Sequence, residues 1–213
     1  MAKEAFRPVD TWVFDLDNTL YPPEAGLFAQ MNPRINGFIR TTLGISEDEA
    51  AVLRKSYWQQ YGTTLSGLMA EHGVEPLAYL DEVHDIDLST LTPAPDLHTA
   101  LNALPGRKIV FTNGTREHAK RVTRARGIDG AFDAIYGVED ADFVPKPKEA
   151  AFARVFELAG VLPRTAAMFE DSAHNLQVPH AWGMRTVLVG PPEDGPHIHH
   201  QTEDLAGFLS QLA

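Results

Sequence analysis

Asp15 and Asp17 stand two residues apart, directly after the apolar run Trp12-Val13-Phe14. Side chains two apart on an extended chain share a face, so both carboxylates can address one site. Asp-x-Asp is common in ordinary turns, and alone the pair reads better as a solvated turn after a strand. Three other stretches carry complementary chemistry. Phe111-Thr112-Asn113-Gly114-Thr115 offers a hydroxyl and exposed amides ahead of a helix start, an arrangement that suits an anion. Taken alone, the better reading there is a strand-to-helix turn capped by Thr115. Pro145-Lys146-Pro147-Lys148 places a proline on each side of Lys146, restricting the backbone that carries this cation. Lys148 reads as a solvated loop residue. Phe169-Glu170-Asp171-Ser172, with Asn175 beyond, ends an apolar run in two acids. Acids there can favour a helix N-terminus, or Asp171 can ligate a hard cation such as magnesium.

The elements that must position these residues follow from periodicity. Aromatic and β-branched content predicts a buried strand over 11–15, ending where turn formers begin. Pro22-Pro23 breaks any continuation. Residues 24–92 then read as helical. Leu27, Phe28, Met31, Ile35, Phe38 and Ile39 recur at helical spacing, with Pro33 expected to kink or divide the helix. Ser46 and Glu49 form a capping box opening a second helix. Two further helices are expected from about Thr63 and Pro76, and 84–95 reads as a linker back. Tyr57, Trp58 and Tyr61 are expected in the core of this helical block, with one of them able to face a substrate base.

From Asp96, expected as a helix cap, helix and strand alternate. Strands are predicted over 108–112, 134–136, 165–169 and 185–189, the last being the final strand. Helices are predicted between them, including one capped by Ser172, and at 202–212. This alternation implies a parallel sheet covered on both faces. Residues 1–10 read as a polar leader. His197-Ile198-His199-His200 could bind a transition metal, but its proline and glycine neighbours favour a mobile loop. His84 and Asp85 could approach the site, although no pattern in the sequence brings them there.

With 213 residues and 44% hydrophobic content, the chain can build one core of ordinary size plus an insert. A formal charge of −11 argues against nucleic acid or an anionic membrane as partner. The absence of cysteine excludes disulfides, thiolate catalysis and cysteine-bound zinc. No signal-peptide core or bilayer-length apolar run is visible, so a cytoplasmic protein is expected, as a monomer or homodimer.

Phe14-Asp15-Leu16-Asp17-Asn18-Thr19-Leu20 closely resembles the first motif of the haloacid dehalogenase superfamily. Thr112, Lys146 and Asp171 match the second, third and fourth motifs in order. The resemblance covers nearly the whole chain. It implies a Rossmann-like α/β core, residues 1–20 and 93–213, with a helical cap domain, 21–92, inserted after the first strand. It implies magnesium held at Asp15, Asp17 and Asp171, and a phosphoryl group held by Thr112, Asn113, Gly114 and Lys146. Asp15 would be the nucleophile and Asp17 the acid and base. Glu170 stands where many members have glycine or aspartate and Asn175 where many have a second acid, so a second carboxylate at the metal stays open. The dehalogenase branch is disfavoured, because it needs neither the second aspartate nor the metal acid.

Asp15 through Pro22, Gly26-Leu27-Phe28 and Phe111 through Gly114 resemble the pyrimidine 5′-nucleotidase branch. The expected activity is hydrolysis of nucleoside 5′-monophosphates. The alternatives are another small phosphorylated metabolite, such as a sugar phosphate or phosphoglycolate, or a non-catalytic relative that binds a phosphorylated ligand.

Overall fold

Thr11–Phe14 forms β1, every residue of it buried. Alternation sends Trp12 and Phe14 into one apolar cluster and Val13 into another on the opposite face. The computed structural model describes residues 2–213. Arg107–Phe111 (β2) and Ala166–Glu170 (β4) flank β1, and Ala134–Tyr136 (β3) lies outside β2. Arg185–Val189 (β5) and His200–Thr202 (β6) complete the order β3-β2-β1-β4-β5-β6, parallel throughout. β1 is therefore interior, with the chain ends of β2 and β4 on either side of it. In an open parallel sheet, the carboxyl edge at such a reversal of strand order is where ligands collect.

Helices cover both faces. Pro95–Ala103 (α6), Arg116–Ala125 (α7) and Leu205–Ser210 (α10) contribute Leu101, Val122 and Leu209 to the cluster of Trp12 and Phe14. Glu149–Ala159 (α8) brings Phe152 and Val155 to the opposite cluster.

Between β1 and α6 lie four helices, Leu27–Leu43 (α2), Glu47–Tyr61 (α3), Thr64–His72 (α4) and Pro76–His84 (α5). The capping box at the start of α3 is formed by Ser46 and Glu49. α2 packs on α3 and α5, and α3 on α4. The α3–α4 contact is close because residue 67 is glycine: a Cβ there would overlap the ring of Tyr57. The block's two connections meet at one side chain of the sheet region. Arg126 donates from Nε to the Leu20 carbonyl at 3.2 Å and from Nη1 to the Thr92 carbonyl, while its own carbonyl accepts from Ala94 at 2.8 Å.

Several sequence expectations are corrected. α2 runs through Pro33 as one helix rather than dividing. Residues 2–6 form a short helix, α1, whose Phe6 is buried against Trp12. α6 starts at Pro95, which takes the first helical position where its missing N–H costs nothing, so Asp96 lies in the first turn and not at the cap. Ser172 makes no side-chain cap; a 3₁₀ turn, Ala173–Leu176, precedes the short helix Gln177–Ala181 (α9). The strand 185–189 is not the last. His200 pairs beside β5 as edge strand β6, its ring against Phe6 and Phe208, so this part of the histidine run is ordered.

Candidate active site

β1 ends at Phe14, and Asp15 still donates its N–H to the Phe169 carbonyl of β4 at 2.9 Å. The carboxylate is thereby delivered to the carboxyl edge beside Glu170. Asn18, at φ 58°, then turns the chain back, and its side chain donates to Asp171 at 3.1 Å. Thr19 donates to Asp15 Oδ2 at 3.2 Å, closing the loop on its own nucleophile candidate.

Lys146 is fully buried between these elements. Its Nζ donates to Asp15 Oδ1 at 2.6 Å, to Glu170 Oε1 at 2.7 Å and to the Phe111 carbonyl at 2.9 Å. Burial disfavours the ammonium, but Asp15 and Glu170 hold its pKa above the ordinary lysine range. The backbone of Lys146 is held at two points by Asn113: Lys146 N–H donates to Oδ1 at 2.8 Å, and Nδ2 donates to the Lys146 carbonyl at 3.1 Å. Asn113 thus ties the second motif loop to the third.

Among the described residues, Asp15, Glu170 and Asp171 each offer one oxygen within 4.8 Å of the others. Burial pushes Asp15 up to about 7, with Lys146 opposing and Glu170 and Asp17 adding to it. Asp171 is pushed up to about 6 by burial and by Asp15. Crowded acids whose pKa values are raised by burial and by one another are a fitting set for a hard divalent cation, which supplies the missing charge. Glu170 is the least available of the three. Its Oε1 accepts from Lys146 and, at 2.7 Å, from Asn175, and its Oε2 accepts from Ser172 N–H at 2.9 Å. Asn175 is therefore a support for Glu170, and Glu170 a support for Lys146.

The carboxylate of Asp17 lies outside this cluster. Oδ1 accepts from the Tyr21 hydroxyl at 2.6 Å and faces His118 Nε2 at 3.8 Å. Burial works against its ionisation, but His118, Tyr21 and His84 outweigh it and hold the pKa below the usual carboxylate range. Thr112 is fully buried and its hydroxyl accepts from Gly114 N–H at 2.9 Å, so it lies behind the surface that Asn113 and Gly114 present. Sequence reasoning missed Tyr21, His118 and the hold of Asn113 on Lys146; none of these has a spacing signature. His84 does reach the site region, stacked on His118, whereas Asp85 points to solvent and Arg34. The run His197-Ile198-His199-His200 lies beside Thr186, His180 and Phe6 and contributes nothing to the acidic cluster.

The site opens into a cavity of about 860 Å³ between the sheet edge and the helical block. Its floor includes Asp15, Asp17, Gly114, Lys146 and Asp171; its far wall includes Phe28, Ile35, Trp58 and Leu80. Arg54 also faces it, held through Nη1 to Asn32 at 2.9 Å and through Nε to Asn36 at 3.0 Å. Tyr57, by contrast, is buried inside the block.

A haloacid dehalogenase-like hydrolase model matches residues 9–181. Phosphate metabolism protein 8 of Saccharomyces cerevisiae is 28% identical over 191 residues, covering 82% of this chain; the chain spans 60% of that relative's length. A haloacid dehalogenase-type phosphatase from Thermococcus onnurineus superposes with TM-score 0.61 at 19% identity, over 91% of this chain and 93% of that one. A dehalogenase structure with an intermediate complex gives TM-score 0.61 at 17% identity, over 97% and 98%. At such identities the two structural likenesses establish the fold alone. With the family model spanning β1 to β4, the helical block and all four motif positions, the chain belongs to the haloacid dehalogenase-like hydrolases.

Proposed function

We propose that the protein is a magnesium-dependent phosphomonoester hydrolase acting through an aspartyl phosphate on Asp15, with nucleoside 5′-monophosphates as substrates. The observation that carries the reading is the convergence of Asp15, Lys146 and Asp171 at the floor of a cavity whose far wall is apolar and aromatic. The yeast relative's name, with its reference to phosphate metabolism, points the same way.

A phosphate monoester is a dianion, so a carboxylate nucleophile is repelled unless positive charge is fixed nearby. Lys146 provides one such charge. Asp15 and Asp171 would hold magnesium, with Glu170 in reach; bound there, the cation offsets the remaining charge and orients the phosphoryl oxygens. The Asn113 N–H contributes a further dipole, while that of Gly114 is taken by the Thr112 hydroxyl. An Asp15 oxygen attacks phosphorus in line while the ester P–O bond breaks. Asp17, ionised in the free protein, must take up a proton as the anionic substrate binds, and it gives that proton to the departing alkoxide. Water then attacks the phosphorus of the aspartyl phosphate, Asp17 takes the water's proton, and the P–O bond to Asp15 breaks to release inorganic phosphate.

The nucleotide assignment is supported by the far wall. Phe28 and Trp58 are 43% and 65% exposed, so flat apolar faces stand uncovered opposite the charged floor. Arg54, fixed by two asparagines, can present N–H groups to the edge of a polar ring. The test is a panel of nucleoside monophosphates, sugar phosphates and phosphoglycolate, assayed for phosphate release with magnesium and with excess chelator. Magnesium-dependent release, highest from nucleoside monophosphates and absent in Asp15→Asn, is expected. Release unaffected by chelator would defeat the metal role, and a preference for sugar phosphates or phosphoglycolate would defeat the substrate class.

A further inference from the structure

Behind Asp17 lies a histidine that the four motifs do not include. His118, in the first turn of α7, is 1% exposed, and neither ring nitrogen has a hydrogen-bond partner among the described residues. Leaving two buried polar atoms unpaired costs stability, so the placement calls for a reason. Its backbone is fixed: His118 N–H donates to the capping hydroxyl of Thr115 at 3.1 Å. Its ring is fixed too, stacked on His84 with centroids 4.1 Å apart and planes 11° from parallel.

His84 is the last residue of α5 and therefore belongs to the helical block. Burial first, then His118 and Arg121, push its pKa down to about 3, so it is a neutral ring. Arg121 of α7 donates to the His84 carbonyl at 2.9 Å and to the Ile86 carbonyl at 3.1 Å. One helix of the sheet region thus grips the end of the block at three points, Thr115 to the ring, His118 to its face and Arg121 to its backbone.

The ring so held points Nε2 at Asp17 Oδ1, the same oxygen that accepts from Tyr21. Oδ2 of Asp17 accepts from no group among the described residues. We propose that His118 is a positioning residue for Asp17: with Tyr21 it holds Oδ1, so that Oδ2 is the oxygen presented to the leaving group. The 3.8 Å separation closes to a hydrogen bond with a small shift of either side chain, and catalytic hydrogen bonds commonly tighten only when substrate is bound. The stack on His84 makes this hold depend on the helical block. This inference rests on the phosphatase reading, in which Asp17 protonates the leaving group.

The test uses leaving groups that differ in their need for a proton. A p-nitrophenolate departs readily as an anion, whereas an alkoxide does not. kcat/KM covers the steps up to and including leaving-group departure, so the ratio of kcat/KM for ethyl phosphate to that for p-nitrophenyl phosphate isolates protonation. His118→Phe keeps a stacking ring and removes the donor; this ratio is expected to fall at least about tenfold. His118→Gln, with an amide of similar reach, should keep the ratio within about threefold of the parent, and the shorter His118→Asn should not. The amide pair decides the matter if the phenylalanine variant misfolds. Merely structural damage would lower both esters alike and leave the ratio unchanged, and that result would overturn the proposal. If the unsubstituted protein releases phosphate from neither ester, the phosphatase reading itself fails and takes this inference with it, an outcome distinct from an unchanged ratio.

Discussion

On the sheet side of the cavity Lys146 is 1% exposed, its ammonium shared by two carboxylates and a carbonyl. On the helical side the aromatic faces of Trp58 and Phe28 stand partly uncovered, with Arg54 and Lys55 beside them. The charged groups of the floor are tied to supporting residues: Lys146 to Asn113, Glu170 to Asn175, Asp171 to Asn18. On the far wall the comparable ties are those of Arg54 to its asparagines and of His84 to Thr115 and Arg121, and the aromatic faces have none. Electrostatic catalysis demands fixed dipoles and charges, because any that must reorient during the reaction lose their advantage. A surface that sorts leaving groups needs only shape and apolar contact, and can change without disturbing the charges opposite. The difference between the walls is what a division between chemistry and selection would produce.

The strongest way to break this comparison is at Lys146. Lys146→Met leaves Asp15 and Glu170 buried without their cation. Turnover of p-nitrophenyl phosphate should fall about a thousandfold or more. Steady-state kinetics on folded protein checks this, and turnover within tenfold of the parent would show that the floor does not depend on its fixed charge.

The next effect concerns the acids together. In the metal-free protein Asp15 and Asp171 titrate at about 7 and about 6, above the ordinary value of 3.8. The folded state therefore holds protons that the unfolded chain has lost. Their stabilising contribution is present below the unfolded pKa and is lost as pH rises through 6 to 7. Magnesium must displace those same protons. The increase in Tm on adding magnesium should accordingly grow between about pH 5.5 and 7.5, reaching the equivalent of about 2–3 kcal/mol near a hundredfold excess over Kd. Asp171→Asn should remove most of it. A shift independent of pH, or intact in that variant, would place the cation elsewhere.

The smallest effect belongs to the far wall. Trp58→Ala should lower kcat/KM for a nucleoside monophosphate several-fold, about 1 kcal/mol of stacking, relative to p-nitrophenyl phosphate. Equal loss on both esters would dissolve the proposed division between walls.

The floor was legible in the sequence because each of its charged residues sits at the end of an apolar run or between prolines, where the local pattern fixes the backbone. Asp15, Lys146 and Asp171 meet as expected, and the parallel sheet with four intervening helices follows the expected alternation. The supporting residues were not legible. Asn113 looked like part of an anion-binding turn; that its side chain clasps Lys146, 33 residues away, depends on how two loops cross. Glu170 raised the question of a second metal ligand, and its two oxygens turn out to be engaged by Lys146, Asn175 and Ser172. His118 sits in a strongly polar helix sequence, and only the fold shows that its face is the buried one. Edge strand β6 is three residues long and lacks the β-branched run that marks the interior strands.

The guanidinium of Arg126 carries one last implication. It reaches the carbonyl of Leu20, where the chain departs for α2, and that of Thr92, where the chain comes back. Departure and return thus share one anchoring point, so to the sheet the whole excursion is a loop with its ends already joined. The entropy of closing a flexible loop rises only with the logarithm of its length. Excursions of very different size can be hung from the same anchor at little cost to the sheet, and β1 need not register how much chain intervenes. A scaffold with this property can exchange its selecting surface wholesale while the reacting groups keep their places.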